Sequence, residues 1–221
     1  MGTSTELPAD GLAIRQPRQE RTRQAWARIL DAGVKIIEEG GYEAFTIAAV
    51  CERAKVAPRA VYDRTSSKDA LFLAVYEHGV ARVLVDQQVF TEPRRWEGLP
   101  PAELITDVVT ELTALFARHT AFLKPVLLLS GAHPEVLRRG RGHVHLLADA
   151  VTGLLLTVRG HFTHPDPEAG ARQCFATAFS ACVVRTAHGA DFATAPVDHD
   201  TFTAHLALSI TRTLLAPHPA A

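Results

Sequence analysis

Between Arg53 and Lys68 the sequence sets five cations, Arg53, Lys55, Arg59, Arg64 and Lys68, against one acid, Asp63. That is a local charge of +4 in a chain whose net charge is −1. Side chains of this kind can hold the phosphates of a polyanion, and an arginine fork can also take the O6 and N7 acceptors of one guanine. A second basic run lies upstream, where Arg15, Arg18, Arg21, Arg23 and Arg28 face only Glu20, again +4. Charge alone leaves a solvated helix surface as an equal reading, so the elements that carry these residues must decide.

Other chemistry finds less support. His143 and His145 are two residues apart, so on a helix their imidazoles diverge by about 200° and cannot share one ion. His161 and His164 straddle a break, and no Cys or carboxylate pattern completes a tetrahedral set, so no metal and no cofactor are expected. Glycine-rich phosphate loops, nucleophile elbows and zinc-protease motifs are missing, so an enzyme is not expected. Cys51, Cys174 and Cys182 are scattered and odd in number, which suits small buried residues in a reducing compartment. The sequence has no apolar run of about 18 residues and no secretory h-region near its start.

The elements follow from spacing. Residues 19–39 put Trp26, Ile29, Leu30, Gly33, Val34 and Ile37 on one helical face, and Gly40-Gly41 ends that helix. Thr46 is a good N-cap, and Ile47, Val50 and Ala54 form the apolar face of a short helix. Lys55-Val56 interrupts it. Pro58 suits the first turn of a new helix that carries Arg59, Tyr62 and Arg64. Ser67 then caps a long helix reaching about Phe90. Helix, short turn and short basic helix make a helix-turn-helix, whose second helix enters the DNA major groove. Residues 1–17 read as a flexible arm whose basic end, Arg15 and Arg18, could reach DNA.

Beyond it, TEPRRWEGLPP reads as a loop. Helices are expected from Pro101 to Arg118, over Phe122–Leu129 with a bend or start near Pro125, and from Glu135 to His161. Two more run from Asp166-Pro167 to His188, and from a cap at Asp198 or Asp200 to Leu215. No segment alternates like a strand. The chain is expected to be all-α, with about nine helices.

Arg23 to Phe72 resembles the N-terminal DNA-binding domain of the TetR family of bacterial transcriptional regulators. The resemblance rests on Ile29-Leu30-Asp31-Ala32, on Gly41-Tyr42-Glu43-Ala44-Phe45-Thr46, and on Ile47 through Ala54 followed by Val56. Val61-Tyr62 and Ser67-Lys68-Asp69-Ala70-Leu71 complete it. The departures are Lys55 in place of the turn glycine, Ala57-Pro58 in place of a hydroxyl cap, Cys51 in place of Ala, and Thr65 in place of Phe. Lys55 is therefore expected to hold a left-handed conformation or to alter the turn.

The resemblance implies a three-helix DNA-binding domain over 18–66 and a larger helical ligand-binding and dimerisation domain over 67–221. It implies a cytoplasmic homodimeric repressor of a palindromic operator, released by a small-molecule ligand and not an enzyme. The helix that begins at Ser67 would link the two domains. Thr46, Arg53, Pro58, Arg59, Tyr62, Arg64 and Lys68 are the expected DNA-binding residues, with Arg59 reading bases and Tyr62 and Lys68 gripping the backbone. Phe116, Phe122, His145, Phe175 and Phe179 are expected to line a cavity for a hydrophobic ligand. Cys174, Ala178, Ala181, Cys182, Phe202, Leu206 and Ile210 are expected at a dimer interface. Operator sequence and ligand identity are not written in the chain.

Overall fold

The structure, a computed structural model, describes residues 20–216. The expected arm over 1–17 lies outside them. Every regular element among the described residues is helical, as the spacing predicts. The chain forms two compact units divided between Ala81 and Arg82.

In the first unit, α1 (Glu20–Ala44) buries Ile29, Gly33, Val34, Ile36 and Ile37. Gly41, at φ 65°, ψ −162°, breaks its helical geometry, so the second glycine of the pair makes the turn. The chain continues into α2 (Ile47–Ala54), α3 (Arg59–Tyr62) and α4 (Lys68–Gln87). Their core is Phe45, Val50, Val61, Leu71, Phe72 and Val75, all fully enclosed. Phe72 meets Tyr42 and Phe45 edge-on, with ring centroids 4.8 and 5.5 Å apart. Thr65 is buried, and its hydroxyl donates to the Ser67 carbonyl at 3.4 Å.

α4 holds the boundary between the units within one continuous helix. The division places its first four turns with the first unit, whereas the expected boundary stood before the helix.

The second unit differs from expectation in detail. The expected loop after Thr91 contains one helical turn, α5 (Pro93–Trp96), with Pro93 at its first position. Trp96 is buried there, and its indole N–H donates to the Val89 carbonyl at 2.8 Å. One buried aromatic with a backbone partner holds a segment that prolines and charges mark as irregular. α6 (Pro101–Arg118) buries Leu104, Ile105, Val108, Val109, Leu112, Leu115 and Phe116, the whole expected stripe. α7 (Thr120–Ser130) contains Pro125 and neither starts nor ends at it. α8 (Pro134–Leu156) stops short of His161, where a separate 3-10 turn follows. α9 (Pro167–His188) is capped by Asp166, and α10 (His199–Leu215) by Asp198; each carboxylate accepts a backbone N–H. α6 packs on α9 and α10, while α8 packs on α9.

Candidate nucleic-acid interface

The basic stretch is displayed by elements too short to stand alone. α2 starts at Thr46, whose hydroxyl accepts the Ala49 N–H at 3.0 Å. It ends at Lys55, in the left-handed region at φ 54°, ψ 50°. The Lys55 N–H reaches the Glu52 carbonyl at 3.2 Å, and the Val56 N–H reaches Cys51 at 3.1 Å. These two bonds close a Schellman turn with lysine where glycine is usual. Lys55 is the one non-glycine residue with positive φ among the described residues, so the departure seen in the sequence is absorbed as backbone strain.

α3 has four residues and no side-chain cap, as Ala57 implies. Pro58 already has helical angles, and its carbonyl accepts the Val61 and Tyr62 N–H groups. Val61 is fully buried and points the rest of the turn outward. Arg59 is 89% exposed, with its Nε 3.8 Å from Asp63. An exposed pair of that length is worth less than about 1 kcal/mol, so it leaves the guanidinium available. Tyr62 is 60% exposed and belongs to the surface, not to the core. Arg64, expected on this helix, lies in the turn after it and packs its guanidinium 5.4 Å from the Trp26 ring centroid.

The other expected contacts are engaged to different degrees. Arg53 is tied to Glu39 of α1 at 2.6 Å, and this carboxylate raises the guanidinium's pKa above its ordinary value. Lys68 sits 4.1 Å over the Tyr42 ring at the start of α4. The Tyr42 hydroxyl donates to Asp69 at 2.8 Å, and burial, then this bond, pushes its pKa up to about 12. Tyr42 therefore stays neutral and fixes the lysine by its ring face. Ser67 caps α4, accepting the Ala70 N–H at 3.1 Å. Thr46, Pro58, Arg59 and Tyr62 are thus exposed, Arg64 and Lys68 are half-buried on aromatic rings, and Arg53 is exposed but salt-bridged. The Trp26–Arg64 and Tyr42–Lys68 contacts link residues far apart in the chain, and no local spacing announces them.

The larger unit corrects several expected residues. Cys174, Ala178, Cys182 and Ile210 are buried in the chain's own core and cannot also form a dimer surface. The positions 174, 178 and 182 do share one helical stripe, but that stripe turns inward. Ala181, Phe202 and Leu206 are half-buried. Val184 on α9 and Leu208 on α10 are the exposed large apolar residues of these helices. Phe116, Phe122 and Phe175 are buried, and Phe179 meets Phe116 and Phe175 with ring centroids 5.6 Å away in each case. His145 is exposed on α8, so it is no wall of an enclosed cavity. Phe116 does line a cavity of about 260 Å³, whose other walls include residues of α7, α9 and α10. The remaining expected lining residues are not among its walls. No group of three His, Cys, Asp or Glu side chains converges as a metal site among the described residues. No single described helix is long and apolar enough to cross a membrane.

Residues 29–75 match the family model described as bacterial regulatory proteins, tetR family. The A-factor receptor protein of Streptomyces griseus is 32% identical over 88 residues, which make up 40% of this chain and 29% of that protein. The match thus spans about three-tenths of the curated relative's length. A TetR-family transcriptional regulator of Mesorhizobium loti superposes with a TM-score of 0.66 at 15% identity, over 88% of this chain and 97% of that one. Salmonella enterica GusR gives 0.62 at 20%, over 90% and 99%. The regulator FadR from Bacillus subtilis in complex with stearoyl-CoA gives 0.62 at 14%, over 86% and 99%. At such identities these structures speak for the fold alone.

Proposed function

We propose, for a chain that belongs to the TetR family of bacterial regulatory proteins, that this transcriptional regulator is a homodimeric repressor of a palindromic operator, released by a small molecule. The observation that carries the DNA reading is α3. Its Arg59 and Tyr62 are exposed while Val61 anchors the turn from behind. Arg59 reads a base edge, Tyr62 and Lys68 hold phosphates, and the helix N-termini at Thr46 and Ser67 add backbone N–H donors. Pro58 and Arg64 flank the reading turn. Arg53 contributes with the donors that its bond to Glu39 leaves free, or by exchanging Glu39 for a phosphate.

The test is anisotropy or gel-shift titration against DNA selected from the genome by the protein itself. Arg59→Ala is expected to cost about 1–3 kcal/mol per half-site and to relax sequence preference at one position. Unchanged affinity and preference would remove Arg59 from the readout. A reporter gene placed behind the selected site is expected to be silenced by the protein; stimulation instead would make it an activator.

The dimer is assigned to the outward faces of α9 and α10, around Val184 and Leu208 with the half-buried Ala181 and Leu206. Sedimentation at micromolar concentration is expected to show a dimer that Leu208→Arg splits; a monomeric wild type ends this assignment. The name of the A-factor receptor supports a small-molecule effector. Release by an effector requires that it bind the two DNA-affinity states unequally.

A further inference from the structure

The cavity that Phe116 borders has a charge character that the sequence does not announce. Its walls include Phe116 of α6, Thr120 of α7, Cys182 and Arg185 of α9, and His199 and Phe202 of α10, all within the second unit. Its volume of about 260 Å³ equals that of about nine waters at roughly 30 Å³ each, room for an organic molecule of about ten heavy atoms.

Arg185 gives the cavity its sign. The residue is half-buried, its guanidinium stands 4.6 Å from the Phe202 ring centroid, and it donates one N–H to the Val197 carbonyl at 2.8 Å. A guanidinium has five N–H donors, so this bond leaves others unspent. Among the described residues no carboxylate pairs with Arg185, and none lines the cavity. The adjacent Cys182 is neutral, because burial pushes its thiol up to about 12. A fixed positive charge thus faces aromatic and methyl-bearing walls with no acid to balance it.

We propose that this cavity binds a compact amphipathic carboxylate, with its head group on Arg185 and a short apolar body against Phe116 and Phe202. Charge-assisted bonds from a guanidinium to a carboxylate are the strong class of hydrogen bond, and they gain where water is partly excluded. The site deepens the effector reading above, and rests on it only for any consequence at the operator.

The probe is 3-phenylpropanoate, with 3-phenylpropan-1-ol as its uncharged counterpart, titrated calorimetrically into the full chain. The wild type is expected to bind the acid at least tenfold more tightly than the alcohol. Arg185→Gln is expected to erase that preference while circular dichroism shows an unchanged fold. Equal binding of acid and alcohol to the wild type overturns the proposal, as does a folded Arg185→Gln that keeps the preference. If losing the Val197 bond unfolds that variant, Ala117→Trp decides, since Ala117 is an exposed wall residue whose indole would occupy the space. Lost acid binding then supports the site, and retained binding overturns it. DNA affinity is measured separately with the acid at saturation: binding without release leaves the site standing and refutes only its role as the operator's effector site.

Discussion

Gly33 is packed so closely that it has no room for a side chain. A Cβ built there would lie 2.4 and 2.9 Å from the two γ-carbons of Val75, and 3.2 Å from the Phe45 ring. Both neighbours are fully enclosed, so neither has solvent to move into. Ordinary carbon contacts begin near 3.5 Å. Overpacking of this order costs about 1–3 kcal/mol. Against it stands the better helix propensity of alanine, about 0.5–1 kcal/mol. Gly33→Ala is therefore expected to destabilise the unit by about 1–2 kcal/mol. Val75→Ala alone should cost about 2 kcal/mol, from two lost methyls and the space left behind. In the Val75→Ala background the worst clash is gone, and Gly33→Ala should change sign, becoming neutral or stabilising by up to about 1 kcal/mol. Hydrogen exchange of the slowest amides of α1, which lies wholly in this unit, reads its opening free energy. A stable Gly33→Ala in the wild-type background, or the same penalty with and without Val75, would refute the reasoning.

Other perturbations follow from the same geometry. Lys55→Gly should stabilise the α2–α3 turn by about 0.5–1 kcal/mol by removing left-handed strain, and Lys55→Val should destabilise it; denaturant titration ranks the three. Thr46→Ala should lose about 1 kcal/mol of cap energy and also weaken DNA binding, so stability and anisotropy are measured on one sample. Cys174 and Cys182 are held up to about 11 and about 12 by burial. Their thiols ionise first in the unfolded chain, so they should make stability fall as pH rises from about 9 towards 12, a slope that Cys182→Ala reduces. Glu135 is drawn down to about 2, first by its bond to Arg138 and then by Arg139. Its contribution is present above the ordinary carboxylate range and should fade as pH falls through about 4.5 towards 2; Glu135→Gln should flatten that part of an acid titration.

What the sequence made legible was what local spacing encodes. The apolar stripe of α6 and the caps at Thr46, Ser67 and Asp166 are each properties of a few neighbouring residues, and each is found in the structure; of the alternatives the spacing left open, Asp198 and not Asp200 takes the last cap, and Lys55 takes the left-handed conformation. The misread segments depend on distant partners. Pro93–Trp96 is helical because Trp96 finds burial and a backbone carbonyl, which prolines and charges do not foretell. The inward turn of the 174–178–182 stripe was equally hidden, since a helix of small residues offers two similar faces and only packing selects one. Arg185, His199 and Phe202 come together at the cavity across the exposed 191–198 segment, and no motif joins them. At the basic surface the residues were legible, while their competing partners, Glu39 for Arg53 and the aromatic rings for Arg64 and Lys68, were not.

The brevity of α3 has a consequence for how this surface fails. Four residues lie far below the length at which a helix persists in water, about 12–15. The segment therefore borrows its shape from one enclosed side chain, Val61, and from the turns on either side. Its opening need not wait for the core to melt, so amide protection at Val61–Arg64 should be lost before that of α1. Recognition would then have its own thermal limit, set by a single valine, and a warmed protein would go blind to sequence while still folded.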